Sequence, residues 1–488
     1  MLAPPPTVSD GPRRVRRIPY KYVVAIVFVS ALFVDILDTT IVNVAIPTLR
    51  HEFHTSESSI EWVVLGYLLS LAVWIPASGW IGDRFGTRKT FLVALFTFVA
   101  ASALCGRAGS EHQLIAFRVV QGMGGGMLTP VGTTMLYRAF PPEERVRAST
   151  ILIIPTVIAP ASGPIIGGLL IEHLSWRWIF YVNLPIGVAT FVFGAFFLKE
   201  HKEASTGPFD PWGFVLSAAS LALILYWLSQ APRTGWTSTE AVSTGLIGLV
   251  LLAVLVVVEL RLEHPMLQLH LFNNRMFRAT NIAAIASNGS FIGVLFLLPL
   301  FLQDLRGLSA LETGLATFPQ ALGVMLAAQI VGRILPRVGP RRVMMFGLFG
   351  AGATLFCFTF VTLHGSIWWV RLLMFVRGLF MAFAVVPQQS ATFATITPAE
   401  TGRASSLFST QRQMSAAIGV ATLATVWLSR TKARVGSLTI PAAVRHARLR
   451  GFHDAFIGGA IIAVLGSCAA LLIHDEDAAA IMKPKQRP

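Results

Sequence analysis

Two carboxylates, Asp35 and Asp38, stand in FVDILDTTIVNVAIP, inside the first long apolar run of the 488-residue chain. A charge in hydrocarbon is costly, and such groups almost always face a cavity, a partner or a proton path. Spacing of i, i+3 puts both acids on one face of a helix. Burial beside a like-charged neighbour suits one of the pair to take up and release a proton near neutral pH, so the predicted chemistry is proton carriage. Arg118, in RVVQGMGGG, is a cation of the same cost and needs a partner. Either acid could be that partner, and spacing does not choose between them. A fixed ion pair that only sets geometry is the plain alternative.

Other polar groups inside apolar runs are candidates for a cavity wall. Asn43, Gln121, Asn288, Gln320, Gln389 and Arg412 are the expected substrate contacts, with Asn281, Gln329, Gln388, Gln411 and Gln413 beside them. Any one amide serves equally well as interhelical glue. Arg377 and Arg412 have no obvious local partner. His51 and His54 lack further ligands, so no metal is expected. Cys105, Cys357 and Cys468 lie far apart in apolar runs, which excludes a disulfide framework and predicts buried packing. No GxxxxGK[ST] occurs, which argues against an ATP-driven pump. No cofactor is expected, the proton gradient being the energy source.

The elements that must hold these groups are membrane helices. Hydrophobic residues make up 54% of the chain and charged ones 13%, a balance that a water-facing surface of this size would not tolerate. Spans are predicted at 22–47, 60–81, 90–108, 113–137, 148–171, 178–198, 212–230, 241–260, 279–302, 310–335, 343–363, 368–395, 404–428 and 454–473. An even number returns both termini to one side. Counting Arg107 and Arg333 at span edges with their adjoining loops, that side carries 24 Lys and Arg against 11 on the other, so it is predicted to be cytoplasmic, which also explains the net charge of +15 without nucleic acid. Six of the 11 sit in one segment, 429–453, read as a basic external loop, with a missed re-entrant segment as the alternative. The tail MLAPPPTVSDGPRRVRR precedes a run too long for a signal sequence, so the first helix is expected to be retained.

An internal repeat is visible. GWIGDRFGTRK (79–89) at the end of span two is echoed 253 residues later by GRILPRVGPRR (332–342) at the end of span ten. Gly122, Pro142, Glu144, Arg147, Ala148 and Ser149 recur 256 residues on as Gly378, Pro398, Glu400, Arg403, Ala404 and Ser405. The expected fold is an all-α polytopic membrane protein: two pseudo-symmetric six-helix bundles, 22–198 and 279–474, with two linking transmembrane helices within 199–278. Tails of 1–21 and 475–488 complete the division.

These residues resemble the major facilitator superfamily, in particular its fourteen-helix drug:proton antiporter branch, over essentially the whole chain. GWIGDRFGTRK is similar to the signature loop between helices two and three. The resemblance implies a latch that stabilises the outward-open state, made by Gly79, Asp83, Arg84, Gly86, Arg88 and Lys89. LDTTIVNVAIP resembles the branch-specific motif of helix one, with Asp38 at the membrane-embedded acid. RVVQGMGGG implies a role for Arg118 in proton coupling. APASGPIIGG (159–168) resembles the motif that marks exporters, carried by Pro160, Gly163, Pro164, Gly167 and Gly168, although Ala159 replaces a glycine. WRWIFYVNLPIG (176–187) is also similar to the fourteen-helix branch.

The resemblance implies a proton-coupled antiporter that exports small lipophilic or cationic compounds by alternating access. It is expected to sit in the cell membrane in contact with lipid, as a monomer open to accessory export partners. Two acids against nearby arginines predict tolerance of monovalent cations and neutral compounds, and poor handling of divalent ones. Export of a lipid, siderophore or endogenous metabolite on the same fold is the rival. A membrane-bound receptor or enzyme would need a soluble output domain or a clustered nucleophile or metal set, and none is visible.

Overall fold

The computed structural model describes residues 19–203, 206–436 and 440–482, and within them every regular element is a helix. Most of the expected N-terminal tail and the last six residues lie outside them. Fourteen helices of fifteen residues or more follow in chain order. The first six are α1 (Tyr20–Glu52), α2 (Trp62–Phe85), α3 (Thr87–Gly106), α4 (Glu111–Ala139), α5 (Arg145–His173) and α6 (Asn183–Phe197). Next come α7 (Pro211–Thr234) and α8 (Thr239–Arg261). The last six are α9 (Arg275–Leu300), α10 (Pro319–Val338), α11 (Pro340–Cys357), α12 (Ile367–Thr392), α13 (Thr401–Val435) and α14 (Pro441–Ala469).

Among the described residues, twelve helical stretches are long and apolar enough to cross a membrane. α4 and α13 are long enough but too polar to count with them. Both are interior helices: α4 packs on α1, α2, α3 and α13, and α13 on α9, α14, α2, α7 and α4. Groups that lipid would reject are thereby kept against protein.

In the first group of six helices α4 packs on α2 and α3, α1 on α4, α5 and α6, and α3 on α6. In the last group α12 packs on α10 and α11, α9 on α12, α13 and α14, and α11 on α14. The groups meet along two seams. One is α2 against α13, and the other is α5 against α10, α12 and the short helix Ala310–Thr317. α7 lies on the first seam and touches both α2 and α13, while α8 packs on α7 and turns a row of apolar side chains outward, Leu246, Ile247, Val250 and Val257 among them.

Local chemistry explains the helix starts. Ser110, Asp210, Ser238, Asn274 and Ser366 each accept a hydrogen bond from a backbone N–H of the first turn. Ser309 and Glu312 form a capping box on Ala310–Thr317, so Glu312 at the edge of span ten has a structural task. Prolines inside helices, such as Pro130 and Pro164, are accommodated by neighbouring helices.

Two expectations need correction. The 429–453 loop is for the most part helix, because α13 continues to Val435 and α14 begins at Pro441, with 437–439 outside the described residues. Hydropathy marks where a chain leaves lipid, whereas a helix continues as long as its charges are solvated or paired, as Arg434 and Asp454 are at 2.6 Å. Of the cysteines only Cys105 is buried; Cys357 is half-buried and Cys468 exposed, because an apolar run does not distinguish a lipid-facing side chain from a core one.

Candidate functional site

The two helix-one acids have different surroundings. Asp38 is completely buried, and its Oδ2 takes a hydrogen bond and ion pair from Arg118 Nη1 on α4 at 2.5 Å. Oδ1 accepts from Gln121 Nε2 and from Asn183 Nδ2 of α6, both at 2.8 Å. Arg118 also donates Nη1 to Gln121 Oε1 at 2.8 Å and Nε to the Val63 carbonyl at 3.0 Å, and lies 4.1 Å over the Tyr67 ring. Asn183 donates in addition to Ser102 Oγ at 3.1 Å. Three helices thus close around one carboxylate.

Asp35 accepts the Tyr67 hydroxyl at 2.6 Å and lies within electrostatic reach of Asp38 and of Arg412 on α13. Tyr67 therefore joins the two acids: its hydroxyl meets Asp35, and its ring carries the guanidinium that holds Asp38. The glycines of RVVQGMGGG make this approach possible. A Cβ at Gly125 would stand 2.7 Å from the Tyr67 hydroxyl and 2.8 Å from Asp35 Oδ1, and one at Gly122 or Gly126 would strike the backbone of α2.

A cleft lies between the two groups of helices, lined by Phe28 of α1, Thr129 and Tyr137 of α4, Gln389 of α12, and Phe408 and Arg412 of α13. About 20 Å³ is left inside, room for little more than one water. Tyr137 stacks on Phe393 with ring centroids 4.4 Å apart, which joins the groups beside this cleft. Of the six expected substrate contacts, Gln389 and Arg412 line the cleft. Gln121 belongs to the Asp38 cluster, and Gln320 accepts from Arg377 Nη1 at 2.6 Å. Asn43 and Asn288 donate to carbonyls of their own helices. Arg377 thus has a neutral partner, whereas Arg412 makes no hydrogen bond or ion pair among the described residues.

At the end of α2, Asp83 accepts from Arg138 Nη2 at 3.2 Å and abuts Gly402 in the first turn of α13. Arg138 also donates to Glu203 at 2.8 Å and to the Pro398 carbonyl at 3.1 Å. Gly79 lies against α13, where a Cβ would stand 2.9 Å from the Gly402 carbonyl. Ser405 donates to the Pro130 carbonyl, Ser406 to that of Pro76 and Arg145 to that of Phe393, so the two groups are tied together at this end. Gly86 turns the chain at φ 99°. The backbone amides of Arg88 and Lys89 donate to Glu200, and Arg88 Nη2 to the Ala195 carbonyl. Arg84 and Lys89 are exposed.

On α5, Gly163 and Gly167 press against Thr40 and Ile41 of α1. Pro164, with Ile165, meets Gly314 across the second seam, whereas Gly168 faces open space; Pro160 lies within the same unbroken helix. α5 therefore carries the second seam on one face and helix one on the other.

Sequence reasoning missed Tyr67, Arg138, Asn183, Glu200 and Glu203. Asn183 stood inside the quoted WRWIFYVNLPIG, and an asparagine there was the available signal. Arg138 entered only the count of loop cations, and the two glutamates entered no reading.

Residues 28–420 match the sequence profile of the Major Facilitator Superfamily. Among curated proteins the chain is similar to the multidrug resistance protein B homolog of Mycobacterium tuberculosis, 36% identical over 79% of this chain and 72% of that one. It is also similar to the multidrug export protein EmrB of Haemophilus influenzae, 32% identical over 84% and 81%. Among solved structures, the human organic anion transporter MFSD10 superposes with a TM-score of 0.66 at 16% identity, covering 93% of this chain and all of that one, which bears on the fold.

Proposed function

Because this chain belongs to the Major Facilitator Superfamily, and its relatives include multidrug resistance and export proteins, we propose that it is a proton-coupled antiporter exporting small lipophilic compounds, cationic ones included. Asp35 and Asp38 carry the proton between them, Arg118 being the counter-charge of Asp38, Tyr67 the link between the two acids and Asp35 the acid that exchanges with substrate. Carrying the proposal is the Asp38 cluster itself: a fully buried carboxylate and guanidinium with two amides, from which a hydrogen-bonded tyrosine leads to an acid beside the cleft. A merely structural pair has no need of that second acid.

All fourteen long helices cross the membrane in this reading, α4 and α13 being polar because they line the pathway. The six matching packing pairs in each group support two pseudo-symmetric bundles, 22–198 and 279–474, that rock about the cleft. Charge asymmetry supports cytoplasmic termini in the cell membrane. The end held by Asp83, Arg138 and the α13 hydrogen bonds is then the cytoplasmic gate in its closed state, and the narrowed cleft is a contracted stage of the cycle.

Substrate-driven proton movement in proteoliposomes of the purified chain is the test. Addition of a lipophilic cation to vesicles with an acid interior should release protons in step with its uptake. Uptake without proton movement would overturn the antiport reading.

A further inference from the structure

One base lines the cleft and one acid stands within its electrostatic reach, and this pairing bears on the substrate's charge. Asp38 is balanced inside the first group by Arg118, Gln121 and Asn183, so its charge is spent there. Asp35 remains as the acid next to the cleft. Arg412 lines the cleft and reaches Asp35 electrostatically, yet makes no hydrogen bond or ion pair among the described residues. Close by, Gln389 Oε1 is buried without a partner. Phe28, Phe393 and Phe408 supply aromatic walls. Around Asp35 stand Asp38 on its own helix, Arg412 on α13 and the Tyr67 hydroxyl of α2, with Arg118 over the Tyr67 ring, while Tyr137 of α4 and Gln389 of α12 line the cleft.

We propose that the cleft selects amphipathic aromatic zwitterions, whose anionic group is taken by Arg412 and whose cationic group displaces the proton from Asp35. This rests on the export reading above and deepens it. A purely cationic compound would face the uncompensated guanidinium of Arg412. A purely anionic one would favour the proton staying on Asp35, which opposes exchange. Only a molecule bearing both charges answers both groups and still competes with the proton. Gln389 Oε1 is an acceptor for the ammonium.

Three compounds with one ring system separate the cases: 2-naphthylalanine, its carboxamide, which is a cation, and its N-acetyl derivative, which is an anion. Uptake of each would be measured in proteoliposomes of the full chain with an acid interior, together with proton release. The expected order is zwitterion, then cation, then anion. Arg412→Gln should lower the zwitterion-to-cation ratio about tenfold or more, the discrimination a charge-assisted hydrogen bond supplies, and Arg412→Lys should restore part of it. A wild-type preference for the cation, or a ratio unchanged in Arg412→Gln, would overturn the zwitterion proposal while leaving proton-coupled export in place. Absence of proton-linked uptake for all three, and for a lipophilic cation run alongside, would overturn both.

Discussion

A carboxylate that accepts three hydrogen bonds while wholly out of solvent is held in place by them, and Asp38 is such a group. Asp38→Asn keeps the shape but cannot carry a proton, and is expected to abolish proton-coupled export while the protein still inserts and folds. It also leaves Arg118 uncompensated, a loss of about 3–5 kcal/mol for broken buried pairs. The double variant Asp38→Asn with Arg118→Gln should therefore recover thermal stability and not transport, as read by melting temperature and proton flux on the same samples. If the double variant regained export, the pair would be structural. That Asp35, Asp38 and Arg118 would be enclosed and in need of partners was legible in the sequence, because an ionisable group inside an apolar run is expensive enough to need a reason. Which acid met the arginine was not, since that depends on how α1 crosses α4. Tyr67 and Asn183 escaped notice because neutral polar side chains are inexpensive in a helix bundle, so their type alone does not separate a site contact from interhelical glue.

At the scale of elements, the loops GWIGDRFGTRK and GRILPRVGPRR are built alike in a way that their letters conceal. Gly86 at φ 99° and Gly339 at φ 89° precede α3 and α14's neighbour α11, and each helix start is met by an acid from far along the chain. Glu200 accepts from the Arg88 and Lys89 amides, and Asp475 from the Arg341 amide at 3.0 Å. Carboxylates favour helix N-termini, where backbone donors lack partners and the helix dipole is positive. Glu200→Ala and Asp475→Ala should each speed amide exchange in the first turn of α3 or α11 about fivefold, the scale of one lost cap, and leave the opposite helix unchanged. Equal exchange at both starts in either variant would contradict this. Helix existence and order were readable from hydropathy alone. Helix ends were not, as the extension of α13 and α14 into the basic 429–453 segment shows: lipid exit and helix termination are separate events.

For the whole molecule, the closed end depends on how near α2 can come to α13. Gly79→Val adds a branched side chain where a single Cβ already lies 2.9 Å from the Gly402 carbonyl and 3.2 Å from the Arg403 Cα. Spin labels on the two sides of this end should then report a longer distance, with transport reduced about tenfold or more as the closed state is lost. An unchanged distance would refute the role of this contact. Orientation is testable in a cysteine-free background: exposed Lys432→Cys should react with an impermeant reagent from outside and exposed Lys199→Cys should not, and the reverse pattern would invert the assignment. Finally, the placement of α7 makes the molecule unequal-sided in the plane of the bilayer. Of its two seams, α2 with α13 lies behind α7, and Trp236 beyond the end of α7 is bonded to Thr425 of α13 at 2.9 Å, whereas among the described residues no long helix packs across α5 and α10 in the same way. A solute approaching through lipid would thus meet α7 on one side and the α5–α10 seam directly on the other, so the two flanks of the molecule offer it different surfaces.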